Sequence, residues 1–217
     1  MKLNAELTSY IKVNYEWTDK LDTAKEWLSS INEPTAFDFE VAGKFYEEER
    51  NEAKKKFRVN DPNIIDIDYK IAYCDGLSNC YDTVLTHLGF SNKEDKGYVI
   101  ILLDKNVRDY VLNYLVTTNV MQIWHNAVFD FKHITFYTNT FPKNYIDTVQ
   151  IAKTKINNVD NFKGSVKLEV LTSKYYGKWK SGINYTLENV YNKELLEYTA
   201  KDVCATYKLY KLLNYKE

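Results

Sequence analysis

The segment Thr35-Ala36-Phe37-Asp38-Phe39-Glu40-Val41 alternates apolar and acidic side chains, and no other stretch constrains the fold as strongly. Such alternation marks a half-buried strand. Side chains two apart on a strand share a face, so Asp38 and Glu40 project together. Two carboxylates held side by side repel each other unless a cation neutralises them. An Asp-x-Glu strand on its own is most often an exposed strand face, so its meaning depends on what the rest of the chain brings to it.

Two further acidic motifs follow. Gln122-Ile123-Trp124 reads as a short apolar strand that breaks at His125-Asn126, and Phe129, Phe131, Ile134 and Phe136 then read as a helix. Asp130 therefore sits at a strand-to-helix junction, where sites concentrate in α/β folds. Late in the chain, Tyr198 and Asp202 stand four apart in a segment whose apolar positions include Leu195, Leu196, Val203 and Leu209. That spacing places the phenol and the carboxylate on one helical face.

In this order, Asp38-x-Glu40, Asn126-x-x-x-Asp130 and Tyr198-x-x-x-Asp202 resemble the DEDD 3′→5′ exonuclease superfamily in its tyrosine-containing (DEDDy) branch. The wording is most similar to the proofreading domain of family A DNA polymerases, with ribonuclease D a near relative. The likeness runs beyond the motifs. An amphipathic helix, with Leu21, Ala24, Leu28 and Ile31 on one stripe, leads through Pro34 into the acidic strand, and Lys167-Leu168-Glu169-Val170-Leu171 running to Tyr176-Gly177 resembles the helix before the last motif. The histidine branch would carry His at position 197, where this chain has Glu197. Val41 stands where proofreading domains often have a hydroxyl, which puts a substrate contact there in doubt.

The resemblance implies an α/β, ribonuclease H-like fold, with a five-stranded mixed sheet flanked by helices in one domain over residues 1–217. It implies two divalent cations, Mg²⁺ or Mn²⁺, with Asp38, Glu40 and Asp202 on one, Asp38 on the second, and Asp130 acting largely through water. Metals roughly 3.5–4 Å apart stabilise the attacking and leaving oxygens of an in-line displacement, and all-oxygen ligands suit these ions. Tyr198 would orient the attacking water. Asn126, Phe129, Lys174 and Lys178 are the expected substrate contacts. Lys163, Lys167, Lys174, Lys178 and Lys180, interleaved with Tyr175, Tyr176 and Trp179, offer charge and stacking to a strand. The expected substrate is a single-stranded or frayed DNA 3′ end, with a separate DNA polymerase subunit as partner because the exonuclease pattern leaves no room for a polymerase. A ribonuclease D-like exoribonuclease is the alternative, and a non-catalytic nucleic-acid-binding subunit the remote one.

Composition is compatible with this reading and does not supply it. The 217 residues are 45% hydrophobic and carry a net charge of −1, with no apolar run of membrane-spanning length, so a cytoplasmic location in a bacterium or phage-infected cell is expected. Phosphate binding normally leaves a basic footprint, and this chain has none overall; two bound divalent ions would supply positive charge at the scissile phosphate. Cys74, Cys80 and Cys204 form no CxxC pair, and Cys74, Cys80 and His87 lack a fourth zinc ligand. His125 fits the end of a buried strand and His133 an ordinary helix position. Further strands are expected at Ile11 to Tyr15, Asp66 to Cys74, Tyr98 to Leu103 and Tyr145 to Asp147. Lys44 to Pro62 and Asp75 to Gly97 read as long excursions between strands, solvated or used for docking.

Overall fold

The structure, a computed structural model, describes residues 10–43, 83–157, 165–177 and 186–214. Six strands form one mixed sheet: β1 (Asn14–Thr18), β2 (Thr35–Gly43), β3 (Thr83–Ser91), β4 (Lys96–Ile101), β5 (Gln122–Trp124) and β6 (Tyr145–Asp147), in the order β1-β4-β3-β2-β5-β6. Only β3 runs against its neighbours; β1 pairs with β4, β2 with β5, and β5 with β6 in parallel. The helices are α1 (Leu21–Ser29), α2 (Lys105–Thr117), α3 (Val128–Thr138), α4 (Thr148–Asn157), α5 (Leu168–Tyr176) and α6 (Lys193–Asn214).

The alternation read in the sequence decides which face of β2 meets which layer. Phe37, Phe39 and Val41 pack with Leu28 of α1, Leu112 and Leu115 of α2, Trp124 and Ile134 in the larger core. On the opposite face α6 lies across the sheet, its Leu196, Ala200 and Cys204 packing with Val99 and Ile101 of β4, and its Val203 with Ala36 and Ile123. Asp38 and Glu40 stay half-buried on this α6 face.

Two glycines let α6 lie this close. Gly89 is the register partner of Asp38, and a Cβ there would fall 2.9 Å from Thr199 Cγ2 and 3.0 Å from Val203 Cγ1. A Cβ on Gly97 would fall 2.8 Å from both the Cβ and the carbonyl oxygen of Ala200. Both strands thus give up a side chain where the helix crosses, which brings Tyr198 and Asp202 down to the acids of β2.

The sheet has six strands where five core strands were expected, because β1 joins it as an edge. The expected strand at Asp66 to Cys74 and the excursion at Lys44 to Pro62 lie outside the described residues. Asp75 to Gly97 is not a loop throughout: Thr83–Ser91 is the strand between β2 and β4. Both its faces are covered and all of its residues but Val84 are buried, so it shows no alternation, and Thr86, His87 and Gly89 give it a turn-like composition. Among the described residues, no helix is long and apolar enough to cross a membrane.

Candidate active site

β2, α3 and α6 deliver the acidic side chains to one place. Carboxylate oxygens of Asp38, Glu40 and Asp202 lie within 4.8 Å of one another. The last pairing of β2 with β5 is Ala36 with Ile123, so the backbone of β2 beyond it faces no strand on that side. Asp130, in the first turn of α3 and 2% exposed, takes this position: its Oδ1 accepts from the Phe39 N–H at 3.0 Å. Asp130 is therefore anchored to the β2 backbone between Asp38 and Glu40.

This crowding is written into the protonation equilibria. Burial, then the charges of Asp130, Glu40 and Asp202, hold the Asp38 carboxyl well above the usual carboxylate range. Asp130 is pushed up to about 8, by burial and by Asp147, against the opposing hydrogen bond from Phe39. Tyr198 is raised by burial and then by Asp202, Glu40 and Asp38, so its phenol keeps its proton and acts as a donor. Three oxygen ligands that destabilise one another without a cation suit a hard divalent metal ion.

An open cavity of about 380 Å³ has Asp38, Tyr198 and Asp202 in its wall. His125 and Asn126, from the end of β5, line the same cavity. Asn126 holds a left-handed backbone (φ 68°), and its N–H donates to Asp147 Oδ1 at 3.0 Å. Lys153 of α4 and Lys167, at the start of α5, bring positive charge to the wall.

Among the expected substrate contacts, then, Asn126 lines the cavity. Phe129 is instead partly buried against the larger core, its ring 5.2 Å from that of His133. Lys174 is exposed outside the cavity wall, its ammonium 4.8 Å from the Tyr175 ring centre. Tyr176 is buried and donates to the carbonyls of Glu94 and Cys204, so it cannot stack on a strand. Lys163, Lys178, Lys180 and Trp179 lie outside the described residues, as do Cys74 and Cys80. His87 is a buried hydrogen-bonding residue whose Nε2 donates to the Val190 carbonyl at 2.7 Å. Lys153 and Asp147 escaped sequence reading, because a helical lysine and an acid ending a short strand carry no local signal.

The family model for a 3′-5′ exonuclease matches residues 75–216, more than half of the chain, and includes the second and third acidic motifs but not the β2 strand. No curated protein matches the sequence significantly. Among solved structures, Brucella melitensis NrnC with bound Mg²⁺ is similar at TM-score 0.56 and 18% identity, over 94% of this chain and 80% of that one. The catalytic core of Trypanosoma brucei RRP6 aligns at TM-score 0.60 and 14% identity, over 98% and 50% of the two chains. Escherichia coli RNase D aligns at 0.57 and 14%, over 93% and 44%. These likenesses establish the ribonuclease H-like fold.

Proposed function

Because the chain belongs to the 3′-5′ exonuclease family, we propose that it hydrolyses single-stranded or frayed DNA from the 3′ end, releasing nucleoside 5′-monophosphates. The observation that carries this reading is the convergence of Asp38, Glu40 and Asp202 oxygens within 4.8 Å, with Asp38 and Asp202 in the wall of an open cavity that Tyr198 also lines. Asp38, Glu40 and Asp202 would hold the divalent metal, with Asp130 fixed to the β2 backbone beside them. When bound, the metal supplies positive charge for the transferring phosphate and lowers the pKa of a coordinated water. Tyr198, which keeps its proton and hydrogen-bonds Asp202, would orient the attacking water. Asn126, Lys153 and Lys167, which line the same cavity, would hold the terminal nucleotide.

A second reading, 3′→5′ degradation of RNA, draws on the neighbours: one NrnC structure is bound to pGG, and the E. coli RNase D is described as an exoribonuclease involved in structured RNA processing. A DNA oligonucleotide and its RNA counterpart, each labelled at the 5′ end and incubated with Mg²⁺ or Mn²⁺, separate the two. Faster stepwise shortening of DNA is expected; faster shortening of RNA establishes the second reading, and no shortening of either overturns both. For the DNA reading, the partner we propose is a separate polymerase whose primer end this chain proofreads.

A further inference from the structure

The second acidic motif begins in strained backbone, and one carboxylate outside the acidic cluster holds it. Asp147, the last residue of β6, spends both oxygens on main-chain amides: Oδ1 accepts from Asn126 N at 3.0 Å and Val149 N at 2.9 Å, and Oδ2 from Ala127 N at 3.2 Å. The Val149 bond caps the start of α4, as an Asp in that position ordinarily does. The other two bonds cross from β6 to the chain leaving β5. They fix successive amides of the turn in which Asn126 adopts φ 68°, a conformation that costs a non-glycine residue free energy and persists only when its surroundings impose it. Thr148 adds to the same brace, donating from Oγ1 to the Trp124 carbonyl at 3.0 Å and sharing a hydrogen bond with His125 Nδ1 at 2.8 Å.

We propose that Asp147 is a positioning residue for the exonuclease, acting through the 126–127 backbone to hold Asn126 in the wall of the substrate cavity. The proposal rests on the reading of that cavity as the nuclease site. Asp130 has its own anchor on the Phe39 amide, so the brace acts mainly on substrate binding rather than on the clustered acids.

Substitutions at this position separate the cap from the brace. Asp147→Ser keeps an oxygen for Val149 N but is too short to reach across to Asn126 and Ala127. Asp147→Asn keeps one accepting oxygen and turns an amide N–H₂ toward an N–H donor. Asp147→Ala loses cap and brace together. Melting temperature should follow the cap, with Ser close to wild type and Ala lower. KM for a 5′-labelled single-stranded oligonucleotide with Mg²⁺ should follow the brace, rising about tenfold in Ser, less in Asn, with kcat changed no more than about threefold, as for lost binding common to ground and transition states. A wild-type KM in Asp147→Ser, or KM values that follow melting temperature across the set, overturns the proposal, and Ser and Asn decide the matter if Ala does not fold. A wild-type chain that shortens neither DNA nor RNA overturns the underlying nuclease reading, which distinguishes that failure from failure of the brace alone.

Discussion

Asp38 belongs to the clustered acids, and its carboxyl is raised by burial and by three neighbouring carboxylates. Asp38→Ala should therefore abolish hydrolysis, to below about a tenth of the wild-type rate, since metal chemistry supplies several kcal/mol, while the fold survives; circular dichroism and an end-label assay read the two halves. The same crowding fixes a sign for stability. A carboxyl near 8 when folded and near 4 when unfolded binds more protons in the native state, so without metal its contribution weakens as pH rises through that window. His87 works oppositely, because burial lowers it to about 4 and its penalty grows as pH falls below about 6.5. From pH 6.5 to 8 only the carboxylates act among these groups. Over that interval the melting temperature of metal-free protein should fall, and Asp130→Asn should flatten the fall; a slope unchanged by that substitution would contradict the assignment. Tyr198→Phe removes one orienting hydrogen bond and leaves the acids in place, so single-turnover hydrolysis should slow roughly tenfold. An unchanged rate would make Tyr198 a packing residue.

At the scale of elements, the seat of α6 on the sheet sets whether the acids meet. Replacing Gly89 by Ala puts a methyl group against the branched Thr199 and Val203, with the Thr199 carbonyl 3.1 Å away. Neither neighbour is a flexible side-chain end, so the helix must shift, an overpacking cost of about 1–3 kcal/mol. Gly89→Ala should lower the melting temperature and also cut kcat by more than about tenfold, because Asp38 is its register partner; a stability loss with full kcat would show that α6 tolerates the shift. The register of β2 against β3 jumps between Glu40 and Val41, and Thr86, the extra residue opposite the jump, donates to the Glu40 carbonyl at 3.0 Å. Much of this layer was legible in the sequence. The alternation around Asp38 and the four-residue spacing of Tyr198 and Asp202 report directly on faces, because each needs only local geometry. β3 was misread because a strand covered on both sides loses its period. Tyr176 was misread because whether an aromatic packs inward or meets a ligand is decided by partners distant in sequence, here Glu94 and Cys204.

For the whole molecule, a net charge of −1 means little counterion release on binding and so weak affinity for a phosphate backbone. The isolated chain should act distributively, prefer single-stranded or mispaired ends, and gain activity beside a polymerase that raises the local concentration of primer termini. Activity on trapped single substrates, with and without a polymerase from the same source, measures this. Long uninterrupted digestion at physiological salt would instead indicate a self-sufficient nuclease.

The position of α6 at the end of the described chain has a consequence for biosynthesis. The carboxylates of β2 leave the ribosome long before the helix bearing Tyr198 and Asp202, and that helix packs directly on the strands made first. Contacts so distant in sequence form late in folding. A nascent chain therefore carries Asp38, Glu40 and Asp130 without Tyr198 and Asp202, and it becomes able to cut nucleic acid only after α6 has been translated and has docked on the sheet.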